Sequence, residues 1–286
     1  MLLNLWYVAA LDAEVPRDQP FGVKMLGHDL PKRARIDAYP VAIKYGLVWV
    51  FIGDHDESQR APIPDMFEPY IDSPDWRCIG GKYRFAANWQ RVSENGLDTA
   101  HVHFVHPAFG NPNAAQVVPA PIVEHQWGAR CSNSFAAASI ENNSGASRAA
   151  LEEAGRAAPE SRRPSSELQF HLSGLTIQIP QTMAPGIAQC ILSCDTPIDE
   201  YTSMAFWVLA RNYKREPEHD ADRAAMVQKV YEQDFEVVGL IRPAFVPDER
   251  LGARRASDAI TVLPSAARAR DPAGWVMSVA AREATS

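Results

Sequence analysis

"NWQRVSENGLDTAHVHFVHP", residues 88–107, sets an aspartate and three histidines into its last ten positions. His101 and His106 are five apart. On a regular helix their side chains would diverge by about 140°. Pro107 changes that, because the residue before a proline is pushed out of helical geometry. His101 in a last helical turn and His106 just beyond it, turned back, can converge on one ion. His103 falls on another side and is the weakest ligand candidate. Its expected roles are solvent contact, a core hydrogen bond or a place in a pocket wall. Asp98, one turn before His101 on the same face, can accept the other ring N–H of a ligating histidine.

Two histidines leave a metal short of ligands. The third candidate lies in a helix expected over roughly residues 217–241, where Val227, Val230, Tyr231, Val237, Val238 and Ile241 recur at helical spacing. Asp234 falls inside that stripe, whereas Lys229, Glu232 and Gln233 lie elsewhere around the helix. A carboxylate turned toward a core needs a partner. A metal is one such partner, and a buried Arg or Tyr is the other. Glu236 is the reserve ligand. Two His and one carboxylate suit both a non-haem Fe(II) oxygenase and a hydrolytic zinc, so ligand types alone do not separate them.

The remaining sequence supplies the frame. "YPVAIKYGLVWVFIGD", residues 39–54, reads as two strands, Val41 to Ile43 and Leu47 to Ile52, about a turn at Tyr45-Gly46. Residues 55–75 are Pro-, Asp- and Ser-rich and mark a domain junction. Residues 78–89 form a strand that leads into a helical segment over 88–106. Residues 141–166 are a polar excursion with one short helix near 147–156. Strands follow at 168–179, 187–195 and 202–213, and residues 250–286 are weakly patterned. Strands first and a long helix last give an α+β fold, an antiparallel sheet wrapped on a helix.

The 286 residues, 46% of them apolar, carry a net charge of −7 without a basic run. Nucleic acid and anionic membrane surfaces are therefore not expected partners. No apolar run has transmembrane length, and the start lacks a signal-peptide pattern, so the expected location is cytoplasmic. Of the four cysteines, Cys190 and Cys194 share one face of a strand, as half-buried packing residues rather than a metal pair.

The 88–107 segment resembles the iron-binding segment of the Rieske non-haem iron oxygenases, of the vanillate-demethylase-like kind. Asn88-Trp89, Glu94-Asn95, Asp98, His101 and His106 match its motif in order. "YEQDFEVVG", residues 231–239, resembles the late-helix segment of that family, with Asp234 as third ligand. "DTPIDEYTSMAFWVLARNY", residues 195–213, is similar to its Thr-Pro strand pair. The resemblance implies that His101, His106 and Asp234 bind Fe(2+), that Asp98 and Asn95 are catalytic positions, and that Asp98 links to a neighbouring subunit in a homotrimer. It implies a helix-grip catalytic domain over residues 56–286.

Residues 1–55 resemble the two ends of the family's Rieske β-domain and form a truncated remnant of it. "MLGHDLPKRAR", residues 25–35, joins those ends directly, and no cysteine precedes Cys78. His28 and His55 have no cysteine two or three positions earlier. Ligands for a [2Fe–2S] cluster, two thiolates and two imidazoles, are thus missing from this chain. The function implied is O2-dependent hydroxylation or O-demethylation of an apolar aromatic or polycyclic substrate, with electrons from an external reductase or ferredoxin. By strand alternation, Phe170, Leu172, Ile177 and Phe206 are expected to line the pocket. The alternatives are a non-catalytic helix-grip ligand-binding relative and a zinc-dependent hydrolase.

Overall fold

The computed structural model describes residues 3–30, 39–98, 100–107, 121–134, 165–184 and 186–245. Among the described residues, two larger sheets and one separate hairpin are built from the runs of β-branched and aromatic residues. In the first 55 residues, β1 (Leu5–Leu11), β4 (Val41–Lys44) and β5 (Leu47–Ile52) form a three-stranded sheet in the order β1-β5-β4. Tyr45 and Gly46 have φ of 61° and 72°. Two successive left-handed residues make the tight turn whose twist suits a hairpin. Between these strands, β2 (Val23–Met25) and β3 (His28–Leu30) form a separate hairpin.

The second sheet has seven strands, all antiparallel to their neighbours. They are β6 (Arg77–Phe85), β7 (Ile122–His125), β8 (Gly128–Ser134), β9 (Ser165–His171), β10 (Thr176–Ala184), β11 (Ile187–Pro197) and β12 (Ser203–Arg211), in the order β6-β12-β11-β10-β9-β8-β7. The single strand expected over 168–179 is split by a 3-10 turn at Ser173–Leu175. Gly174 takes φ 68° there, a conformation that glycine adopts at little cost.

Four helices complete the described fold: α1 (Glu68–Ile71), α2 (Trp89–Leu97), α3 (Val102–Val105) and α4 (Asp220–Val238). The seven-stranded sheet is covered on both faces. On one face, Trp207, Leu209 and Ile191 pack against Val227, Ala224 and Tyr231 of α4. Val92 of α2 and Val238 of α4 meet Phe85 and Ala205 of the sheet. On the other face, Phe206, Val208, Cys190, Leu192 and Cys194 pack against Val8, Leu47 and Trp49 of the small sheet and Phe67 beside α1. Each fully buried aliphatic side chain contributes about 1.5–3 kcal/mol. This is an α+β fold with a long helix gripped by an antiparallel sheet.

Hydrogen bonds lock the small sheet and the β2–β3 hairpin to the β11 end of the large sheet. Thr196 Oγ1 donates to the Val8 carbonyl at 2.7 Å, and the N–H groups of Leu26 and Gly27 donate to the carbonyls of Pro197 and Ile198. Cys190 and Cys194 share one face of β11 as expected, but both are fully buried rather than half-buried. Among the described residues, no helix is long and apolar enough to cross a membrane. The short helix expected near 147–156 and the weakly patterned residues 250–286 lie outside the described residues.

Candidate metal centre

The continuous helix expected over 88–106 is two helices with a break. Asn88 caps α2, its Oδ1 accepting from the N–H of Gln90 at 3.0 Å. At the far end Asp98 leaves helical geometry (φ −79°, ψ 118°) and its Oδ1 accepts from the N–H of Ala100 at 2.8 Å. A short acid that bonds its own downstream backbone favours a turn over a further helical residue. His101 therefore stands at the entrance of α3, not in the last turn of a longer helix. His106 ends α3 with φ −113° and ψ 86°, the extended departure that Pro107 imposes. The two histidines flank one four-residue helix and turn toward each other.

On α4, Val227, Asp234 and Val238 are the buried residues. Spacings of seven and four put them on one helical face. Glu236, the reserve ligand, is exposed. The structure brings His101, His106 and Asp234 together. Nε2 of His101 lies 3.2 Å from Nε2 of His106. Oδ1 of Asp234 lies 3.4 Å from the first and 3.1 Å from the second. Metal–ligand bonds of about 2.0–2.2 Å put neighbouring ligand atoms about 3.0 Å apart at right angles, and about 3.4 Å apart in a tetrahedron. The triangle fits three ligands on one face of an ion. Asp234 Oδ1 is buried and has no hydrogen bond that satisfies it, which is what a carboxylate aimed at a cation would leave.

Electrostatics favour the ligating charge states at the carboxylate. Burial alone would push Asp234 up, but the imidazoles of His101 and His106 hold it well below the usual carboxylate range. Burial alone would push His106 down, and the nearby charge of Asp234, with the contact to Gln233, raises it instead. Nδ1 of His106 lies 2.9 Å from Oε1 of Gln233. The amide oxygen accepts, so Nδ1 carries a proton, and in the neutral ring Nε2 has the lone pair that a metal would take. Sequence reasoning missed Gln233, assigning it to another side of the helix. Its long side chain reaches sideways from the position beside Asp234.

The other expected residues are placed as follows. Asp98 Oδ2 is 3.8 Å from His101 Nδ1, too far for a hydrogen bond. Asn95 is half-buried in the last turn of α2, where its carbonyl accepts from the N–H of Asp98. His103 is buried, so solvent contact is not its role. Phe170 and Ile177 are paired across β9 and β10, in register with Ser193 and Trp207 on the helix-bearing face. Leu172 lies beyond the end of β9, in the same core cluster. Phe206 points to the opposite face, against the small sheet. Its pocket expectation is corrected, because the residues of β12 that face α4 are its neighbours Trp207 and Leu209.

Residues 85–270 match the vanillate O-demethylase oxygenase C-terminal domain family. Among curated proteins, the chain is 35% identical over 91 residues to the toluene-4-sulfonate monooxygenase system iron-sulfur subunit of Comamonas testosteroni, covering 32% of this chain and 26% of the relative. It is 32% identical over 71 residues to the vanillate O-demethylase oxygenase subunit of a Pseudomonas strain, covering 25% and 20%. These alignments thus span about a quarter or a fifth of each relative's length. Two solved structures share the fold. Dicamba monooxygenase bound to 3,6-dichlorosalicylic acid has a TM-score of 0.70 at 17% identity, covering 93% of this chain and 96% of that one. Pseudomonas putida CBB5 NdmA with caffeine has a TM-score of 0.69 at 16% identity, covering 90% and 87%.

Proposed function

The chain belongs to the vanillate O-demethylase oxygenase C-terminal domain family, among the Rieske-type oxygenase alpha subunits, and on that premise we propose that it is a mononuclear non-haem Fe(II) oxygenase. Its proposed substrate is an apolar aromatic or polycyclic molecule, which it hydroxylates or O-demethylates. The observation that carries the reading is the triangle of His101 Nε2, His106 Nε2 and Asp234 Oδ1. A bound Fe(2+) would supply O2 activation, since three protein ligands on one side leave positions open.

The chain's own residues do the rest. Gln233 holds His106 in the tautomer that ligates. Asp234 stays anionic and balances the ion's charge. Phe170 and Ile177 put apolar surface on the helix-bearing face and help exclude water from it. Asp98, 3.8 Å from His101, and Asn95, in the last turn of α2, are the proposed catalytic positions.

The division into a β-domain remnant, residues 1–55, and a catalytic domain, residues 56–286, belongs to the same reading. The first part contains His28 and His55 and no thiol. Electrons therefore come from an external reductase or ferredoxin. A soluble cytoplasmic homotrimer is the proposed form. Two relatives, vanillate O-demethylase and dicamba O-demethylase, carry O-demethylation in their names, which supports that reaction for this chain.

The test is anaerobic Fe(II) titration of the purified chain and of Asp234→Ala and His106→Ala, followed by peroxide-driven turnover of methoxylated and methylated aromatic acids. One iron per wild-type chain, lost in both variants, with a hydroxylated or demethylated product is the expected result. Binding that ignores both substitutions would sink the metal centre. An iron-loaded chain inert to peroxide across the panel would favour the ligand-binding alternative.

A further inference from the structure

One buried carboxylate has no part in the proposed metal centre. Asp195, 2% exposed, sits on β11 beside Ala205 of β12 and faces the helices. Ser93 Oγ of α2 donates to its Oδ2 at 2.8 Å. Ser193 Oγ, two residues earlier on β11, donates to its Oδ1 at 3.4 Å. The hydroxyl of Tyr231 on α4 donates to Ser193 Oγ at 3.1 Å. A continuous chain of four side chains thus crosses from α2 through β11 to α4. Among the described residues no Lys, Arg or His forms an ion pair with Asp195.

An uncompensated buried carboxylate is a costly way to fill space, and an apolar side chain of similar size packs more cheaply. What the carboxylate adds is direction, since it accepts from fixed donors on a helix and a strand at once. The two ends of the chain matter. Ser93 is in the helix that leads within eight residues to His101. Tyr231 is one turn before Asp234, so its hydroxyl tethers the helix that carries the third ligand.

We infer that Asp195 is a positioning residue for the metal centre: through Ser93 and through Ser193 and Tyr231 it ties α2 and α4 to one strand, and so sets the separation of the histidine pair from Asp234. The inference rests on the metal-centre reading above. It assigns Asp195 no contact with the ion or the substrate.

Cobalt(II) titration of the full chain tests it. Kd, the visible ligand-field spectrum at saturation and the thermal midpoint are measured for wild type, Asp195→Leu, Asp195→Asn and Tyr231→Phe, below the unfolding range of each. Asp195→Leu should weaken cobalt binding by about tenfold or more and shift the spectrum, as loss of outer support does at other metal sites. Tyr231→Phe, which cuts only the α4 end and changes no shape, should do both to a smaller extent. Asp195→Asn, which keeps an acceptor and the side-chain size, should restore the wild-type spectrum. If Asp195→Leu fails to fold, Tyr231→Phe decides. Variants whose midpoint falls while Kd stays within twofold and the spectrum is unchanged would overturn the inference, leaving Asp195 a packing residue. A wild-type chain that binds no cobalt, or binds it equally after Asp234→Ala, would overturn the metal-centre reading first and this inference with it.

Discussion

Nδ1 of His101 stops 3.8 Å from Oδ2 of Asp98, while Oδ1 of the same carboxylate is held by the N–H of Ala100 at 2.8 Å. Nδ1 is buried and lacks a hydrogen-bond partner among the described residues. An orphaned buried ring nitrogen costs about 1–3 kcal/mol. A shift of less than about 1 Å brings the pair within hydrogen-bond range. A metal on Nε2 makes Nδ1–H a stronger donor and favours that closure. Asp98→Asn should therefore lower Fe(II) affinity by roughly tenfold. Anaerobic titration measures it, and an unchanged Kd would leave Asp98 as the cap on Ala100 alone.

Gln233 gives a second, independent handle on the histidines. Its amide oxygen accepts from Nδ1 of His106, which in the neutral ring puts the lone pair on Nε2. Gln233→Leu removes the acceptor and should weaken Fe(II) binding by roughly tenfold or more. Gln233→Glu keeps an acceptor and should retain wild-type affinity. Nitrogen-15 shifts of the His106 ring in the metal-free protein report the tautomer directly. A wild-type tautomer ratio in the Leu variant would show that Gln233 does not set it.

These two residues mark where the sequence was legible and where it was not. The convergence of His101, His106 and Asp234 could be read because Pro107 constrains His106 and Asp234 falls inside an apolar helical stripe. The break at Asp98 could not, since helical spacing assumes that the helix continues. Gln233 was hidden by its length: a wheel diagram places Cα positions, not the reach of a four-atom side chain. Phe206 failed for a different reason. β12 is buried on both faces, so its residues show no alternation of polarity. Without that signal, nothing in the sequence says which face meets α4. The antiparallel sheet and late helix were legible as elements, but their register was not.

Asp195 gives the chain a pH dependence of stability. Burial pushes its carboxyl up to about 7, only partly offset by the hydroxyls of Ser93 and Ser193. The sign follows from proton binding. The folded state holds this proton more tightly than the unfolded state, whose carboxyl titrates near 3.9. The stabilisation is fully present below that value and is lost as pH rises through about 7. Between pH 5 and 7, Asp195 should therefore subtract up to about 1.4 kcal/mol per pH unit. Urea unfolding of metal-free wild type and Asp195→Asn at pH 5, 6, 7 and 8 tests this. The wild type should lose stability relative to the variant up to pH 7 and then level off. Parallel curves would mean that Asp195 titrates at an ordinary value.

The last expectation concerns the electron supply. A Rieske centre takes two thiolates and two imidazoles, grouped closely. The first 77 residues contain no cysteine. Cys78 is a lone thiol, pushed up to about 11 chiefly by burial, and so is poorly suited to ligate as a thiolate at neutral pH. Cys190 and Cys194 are buried between the sheets with their thiols in contact with Gln178 and Thr176. The purified chain should therefore bind about one iron and no acid-labile sulfide. Reduced nicotinamide with a generic reductase should not drive this chain at the rate of a relative that carries its own cluster. Hydrogen peroxide, which brings oxygen and electrons together, should bypass the missing store and give product from the iron-loaded chain. Sulfide assay, visible absorption and product analysis with each electron source measure all three. Stoichiometric sulfide with a reddish chromophore would refute the ligand count. Rapid nicotinamide-driven turnover by a sulfide-free chain would show that electrons reach the iron centre without any cluster on this chain.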